Sequence, residues 1–134
     1  MKEIIDKNTE KLNIENHYWI KEDFISKLGR LAPNLKMINF KGINMSTKSF
    51  MDCVCWLQKL QIVEISHCWS LEPAAITVLV QNNPHIHQLK ALSCWKAITD
   101  ESLLQIATYC KKLSIFDIGY CADVTDQGMF HFHE

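Results

Sequence analysis

The feature that most constrains this chain is that it repeats itself. Slid against itself, the sequence realigns at a period of about 25 to 27 residues. Each register shares one pattern: an apolar residue, two others, an apolar residue, one other, an apolar residue, two others, then a small or thiol residue. The clearest copies are Leu60, Val63, Ile65, Cys68; then Ile86, Leu89, Ala91, Cys94; then Leu113, Phe116, Ile118, Cys121. A weaker copy is Leu35, Ile38, Phe40, Ile43, and a degenerate first copy is Leu12, Ile14, His17.

Every copy continues in the same way. An apolar residue follows the turn (Ile20, Met45, Leu71, Ile98, Val124), and then comes a helix-starting position (Lys21, Ser46, Glu72, Thr99, Thr125). Four residues further on sits another apolar residue: Ile25, Phe50, Ile76, Leu103 or Met129. The first half of each unit alternates with the strand period of two, and the second half has helical spacing. Thr99 and Thr125 suit the N-cap, with Asp100, Glu101 and Asp126 placed to complement the helix dipole in the first turn. Pro73 falls at the first helical residue, where a missing N–H costs little. Pro33 and Pro84 lie at equal offsets before Leu35 and Ile86, where one helix ends and the next strand approaches.

A strand and a helix in about 26 residues, repeated, predict an α/β solenoid of about five units. One such unit buries too little apolar surface to offset the entropy of ordering its backbone, so neighbours must stack. The approximate units are 9–32, 33–56, 57–82, 83–110 and 111–134, the last incomplete, within a single domain spanning 1–134. The 134-residue length suits one domain.

Composition narrows the class. Hydrophobic residues make up 48% and charged residues 22% of the chain, ordinary values for a globular protein. With a net charge of −1 and no clustering of basic residues, no nucleic-acid footprint is expected. No apolar run reaches the length of about 18 residues that a membrane span needs. The opening "MKEIIDKNTEKLN" lacks a signal-peptide core and is too acidic for organelle import. The expected setting is an intracellular, reducing compartment, the cytoplasm favoured, with an organelle or ciliary assembly left open. Six cysteines would form a disulfide framework only in a secretory context.

The stretches "LQIVEISHCWSLEP" (60–73), "IHQLKALSCWKAITDESLLQIATYC" (86–110) and "LSIFDIGYCADVTDQGM" (113–129) resemble the cysteine-containing leucine-rich repeats of F-box/leucine-rich-repeat proteins. The resemblance is strong over 57–129, fair over 33–56 and weak over 9–32. It implies a curved stack, with a parallel sheet on the concave side and helices on the convex side. It also implies a role in binding proteins. About eight residues precede the first register, too few for a helical F-box.

Cys68, Cys94 and Cys121 share one column just after the strand. They are read as structural thiols, since free cysteine packs as a small hydrophobe and stacked Cβ vectors do not converge on a disulfide. A nucleophile would need a neighbouring base and a depressed pKa, and His67 should point away from Cys68. Of Cys53 and Cys55, two apart on one helix, Cys53 is expected inward and Cys55 outward; Cys110 should plug the core. No paired C-x-x-C at zinc spacing occurs. His85-x-His87 and His131-x-His133 offer only two ligands each. No metal and no cofactor is expected.

Side chains alternating with the core residues should face out of the sheet. One column reads Lys11, Met37, Ile62, Gln88, Ile115; the next reads Asn13, Asn39, Glu64, Lys90, Asp117; the third reads Glu15, Lys41, Ser66, Leu92, Gly119. Large apolar residues at Met37, Ile62 and Ile115 suggest a protein-binding stripe. The expected contact residues are Met37, Asn39, Lys41, Ile62, Glu64, Lys90, Leu92, Ile115 and Asp117. Trp69 and Trp95, each directly after a column cysteine, join them on the rim, with Tyr18 in the corresponding first position.

The expected function is a non-catalytic protein–protein interaction module, a small adaptor or accessory subunit of a larger assembly. It is expected not to be an enzyme, not to bind nucleic acid and not to be an integral membrane protein. The family resemblance supplies an alternative, the substrate-recognition portion of an SCF-type ubiquitin ligase with its F-box elsewhere. A zinc protein or enzyme is the third reading.

Overall fold

A computed structural model describes residues 4–132. Among the described residues, strands and helices alternate: β1 (Lys11–Asn13), α1 (Glu22–Leu31), β2 (Met37–Asn39), α2 (Thr47–Val54), β3 (Ile62–Glu64), α3 (Pro73–Asn82), β4 (Gln88–Lys90), α4 (Asp100–Tyr109), β5 (Ile115–Asp117) and α5 (Asp126–Met129), followed by a 3-10 turn at Phe130–Phe132. The strands form one sheet in the order β1-β2-β3-β4-β5. Every pair is parallel, and the register runs Lys11–Met37–Ile62–Gln88–Ile115 across the whole sheet. The chain is therefore an α/β repeat solenoid.

The central residue of each strand points to the helices. Leu12, Ile38, Val63 and Leu89 are buried, as are the helix residues Ile25, Phe50, Ile76 and Leu103 that meet them. Helix starts fall where the repeat places them: the N-cap residues are Lys21, Ser46, Glu72, Thr99 and Thr125. The Ser46 and Thr99 hydroxyls accept from the N–H groups of Ser49 and Ser102. Thr125 departs from expectation. It holds the N-cap position, but its hydroxyl donates to Asp100 of the preceding unit instead of capping its own helix. Adjacent strands sit about 4.8 Å apart, whereas packed helices need about 8–10 Å. The sheet consequently lies on the inside of the curve.

The turn leaving each strand repeats with the same accuracy. Asn16, Gly42, His67, Ser93 and Tyr120 occupy equivalent positions, and all have left-handed backbone, with φ of 57, 76, 62, 60 and 63° respectively. A non-glycine residue there costs on the order of 1–2 kcal/mol. The N–H groups of Asn16, Gly42, His67 and Ser93 recover part of that cost by donating to the next strand's turn at 2.8–2.9 Å.

Several expectations need correction. Ser66 is fully buried rather than facing out of the sheet. Met129 is exposed and Phe116 only half-buried, because α5 is short and leaves the last unit thinly covered. His85 and His87, the first candidate ligand pair, lie just before β4 and not on the strand. The His85 ring nitrogen instead lies 3.3 Å from the Lys112 ammonium. Of the second histidine pair, His133 lies outside the described residues.

Candidate interaction surface

The strand-end column is mostly committed to closing turns. Asn13 accepts from the Glu15 N–H, Asn39 from Lys41, Glu64 from Ser66 and Asp117 from Gly119, at 3.0, 3.1, 2.9 and 3.3 Å. Lys90 has no acceptor, and there the Ser66 hydroxyl of the preceding unit takes the Leu92 N–H at 2.9 Å. This is why Ser66 is buried. Lys41 pairs with Glu15 at 3.5 Å. Asn39, Glu64, Asp117 and Lys41 therefore serve the fold, whatever else they touch.

The column beside it has no such duty. Met37, Ile62 and Gln88 are half-buried along the inner face, and Ile115 is 43% exposed. Met37, Asn39, Ile62, Glu64, Gln88 and Lys90 line a shallow depression of about 220 Å³ there. Leu92 lies next to Gly119, close enough that a Cβ on the glycine would meet its side chain at 2.9 Å.

At the end of the sheet where the turns lie, aromatic rings stand in solvent. Trp69 is 59% and Trp95 47% exposed. The His67 ring meets Trp69 edge-on at 6.2 Å, and the Lys96 ammonium lies 5.4 Å from the centre of Trp95. Tyr18, Trp19 and Tyr120 are more exposed still. The sequence reading passed over Trp19 and Tyr120. Tyr120 could have been found from its left-handed turn position, which aims the side chain away from the core.

The thiols of the column bond to backbone. Cys68, Cys94 and Cys121 each donate to a backbone carbonyl one strand back: Phe40 at 3.1 Å, Ile65 at 3.0 Å and Ala91 at 3.5 Å. The same Ile65 and Ala91 oxygens accept the turn N–H of Cys68 and Cys94, which uses both lone pairs. Burial pushes Cys94 up to about 11 and drives Cys68 further up. Cys53 is buried, pushed up to about 12, while Cys55 is exposed. Cys110 is buried at the end of α4. All six cysteines are free. Among the described residues, no group of three or more His, Cys, Asp or Glu side chains is placed to hold a metal ion. None of the described helices is long and apolar enough to cross a membrane.

Strand, left-handed turn and helix stacked in parallel register define a strand–helix repeat solenoid, with an open inner sheet and an aromatic rim. No family model matches the chain. Solved structures share the shape. A chain of the Rad7 and Elc1 complex in yeast superposes with a TM-score of 0.80 over 93% of this chain, at 15% identity. The tropomodulin C-terminal domain of Caenorhabditis elegans matches with a TM-score of 0.62 over 95% of this chain and 81% of its own, at 13% identity. The chain spans only 32% of the matched yeast chain. At such identities the likeness concerns the fold.

Proposed function

We propose that this chain is a non-catalytic interaction module of the cysteine-containing leucine-rich-repeat type, acting as an adaptor or accessory subunit. It grips a protein partner with the inner face of the sheet and the tryptophan rim. The observation that carries this reading is the apolar column Met37, Ile62 and Ile115 on the solvent side of a parallel sheet. Sheets of that kind ordinarily bury both faces. Exposed Trp69 and Trp95 border the same face, and aromatic anchors dominate binding hot spots. The thiols fit a non-catalytic role: a nucleophile acts as thiolate, and burial keeps Cys94 protonated. A solenoid of similar shape occurs in the yeast Rad7 and Elc1 complex, which supports a place in a multi-chain assembly.

The test replaces Met37, Ile62 and Ile115 with serine together and compares partner recovery from native extract with that of the unaltered chain. Recovery should fall at least tenfold while the melting curve stays cooperative. Undiminished recovery would reject the inner face. Identifying the recovered protein separates a general adaptor from the substrate-reading part of a ubiquitin ligase.

A further inference from the structure

The loops that lead from each helix to the next strand carry a charge pattern that the inner face and the tryptophan rim do not use. They span 32–36, 55–61, 83–87 and 110–114. Far apart in the sequence, they stack side by side at one end of the solenoid, because all five strands run parallel and in order. Together they hold Lys36, Lys59, His85, His87, Lys111 and Lys112, and no Asp or Glu. All of these but His87 are exposed, as is Lys7 ahead of β1.

Contacts between units place these cations beside one another. Lys7, Lys36 and Lys59 line one depression of about 350 Å³. Asn34 ties it together: its amide donates to the Lys7 carbonyl at 2.7 Å, and its oxygen accepts from the Lys59 ammonium at 2.7 Å. Further along the same column the Lys112 ammonium lies 3.3 Å from the His85 ring. Among the described residues, only Lys36 of this set meets a carboxylate, that of Glu10 at 3.0 Å. Asp6 instead accepts from the Asn8 N–H at 2.8 Å. Helix dipoles do not account for the pattern. Their effect is confined to the last turn, and α2, α3 and α4 have no basic residue there.

An apolar column runs beside the basic one. Leu31, Trp56 and Tyr109 fall at the same offset before the core residues Leu35, Leu60 and Leu113. All three are exposed, Trp56 by 51%. Solvation and the helix dipole call for lysines, but neither calls for an exposed tryptophan between them.

We propose that this edge docks an extended segment of a partner protein in which acidic residues alternate with large apolar ones. In an extended chain alternate side chains share a side, about 6.7 Å apart. The unit spacing at the loops lies between about 4.8 Å for strands and about 8–10 Å for packed helices. One same-side step of the segment therefore matches one unit of the stack. Its carboxylates meet the column of Lys59, His85 and Lys112, while its apolar side chains meet Leu31, Trp56 and Tyr109. Two columns make a strip, which suits a single segment better than a lipid plane. The net charge of −1 gives no long-range attraction for a polyanion such as nucleic acid. The proposal is independent of the inner-face reading.

The probe is a fluorescent synthetic peptide of alternating aspartate and leucine, titrated into the full chain and followed by anisotropy. Saturable binding is expected, weakened about tenfold or more by Lys59→Glu with Lys112→Glu, and also by Trp56→Ser. Thermal melts of the variants check that they are folded, and Lys59→Gln with Lys112→Gln repeats the test without reversing charge. A matched peptide of lysine and leucine should not bind. Absence of saturation, or binding indifferent to the lysine substitutions, overturns the proposal. So does tighter binding to phosphatidylserine vesicles or to a single-stranded oligonucleotide, which would make a membrane or a nucleic acid the occupant. The triple serine variant at Met37, Ile62 and Ile115 should bind the peptide as the parent does. Loss of binding there would move the segment to the inner face and overturn the assignment to this edge.

Discussion

Gly29 of α1 lies directly against Cys53 of α2: a Cβ on the glycine would sit 1.8 Å from the Cys53 carbonyl oxygen. The obstacle is backbone, so no side-chain rotation relieves it. Gly29→Ala should force the two helices apart and destabilise the chain by about 2–3 kcal/mol, in the range of overpacked cores. A lowered urea midpoint with an unchanged slope would show it. An unchanged midpoint would contradict the observed approach of the helices.

The buried thiols make stability fall on the alkaline side. Burial raises Cys53 to about 12 and Cys94 and Cys110 to about 11, against about 8.5 in an unfolded chain. The unfolded state therefore loses these protons first. Their contribution is whole below pH of about 8.5 and is lost as pH rises towards the folded values. Between pH 7 and pH 10 each such thiol should cost on the order of 2 kcal/mol. Urea midpoints under reducing conditions measure this, and Cys94→Ala should flatten the slope.

The Asp100–Thr125 link predicts the opposite dependence at low pH. The hydroxyl and then the N–H of Thr125 hold the Asp100 carboxyl below its ordinary value. A depressed carboxylate contributes stability above its unfolded pKa of about 4 and loses it as pH falls through the folded value. Asp100→Ala should speed hydrogen exchange at the Thr125 amide at pH 7. The stability gap between variant and parent should close as the pH is taken to about 2. A gap that persists in acid would show that the carboxylate charge is not what matters.

The left-handed turn can be tested at Ser93, where φ is 60°. Glycine adopts this backbone without steric cost and β-branched residues resist it. Ser93→Gly should leave the melting temperature unchanged or higher, whereas Ser93→Val should destabilise by about 1–3 kcal/mol. Equal behaviour of the two variants would contradict the strained turn.

The match between reading and structure follows from the repetition. A single strand or helix is ambiguous in one sequence, but Val63, Leu89 and Phe116 fall at the same offset from Cys68, Cys94 and Cys121. That agreement made the strand register, the helix starts and the parallel order legible. The inner face was legible as a list of outward residues, though not as a surface. Asn39, Glu64 and Asp117 read as partner contacts, and each also closes its own turn, which the spacing did not reveal. Ser66 read as exposed, yet it is buried as the substitute acceptor for Lys90's turn.

The amino-acid order alone determined the period, the strand–helix alternation and the column of sulfur, because these depend on spacing within one unit. Tertiary structure decided which acceptor meets which amide, where non-glycine residues take left-handed backbone, and which outward residues, such as Ser66, become buried. Those outcomes arise between units: a hydrogen bond across the stack depends on the residue that the neighbouring coil happens to present, and no local pattern records that residue's position.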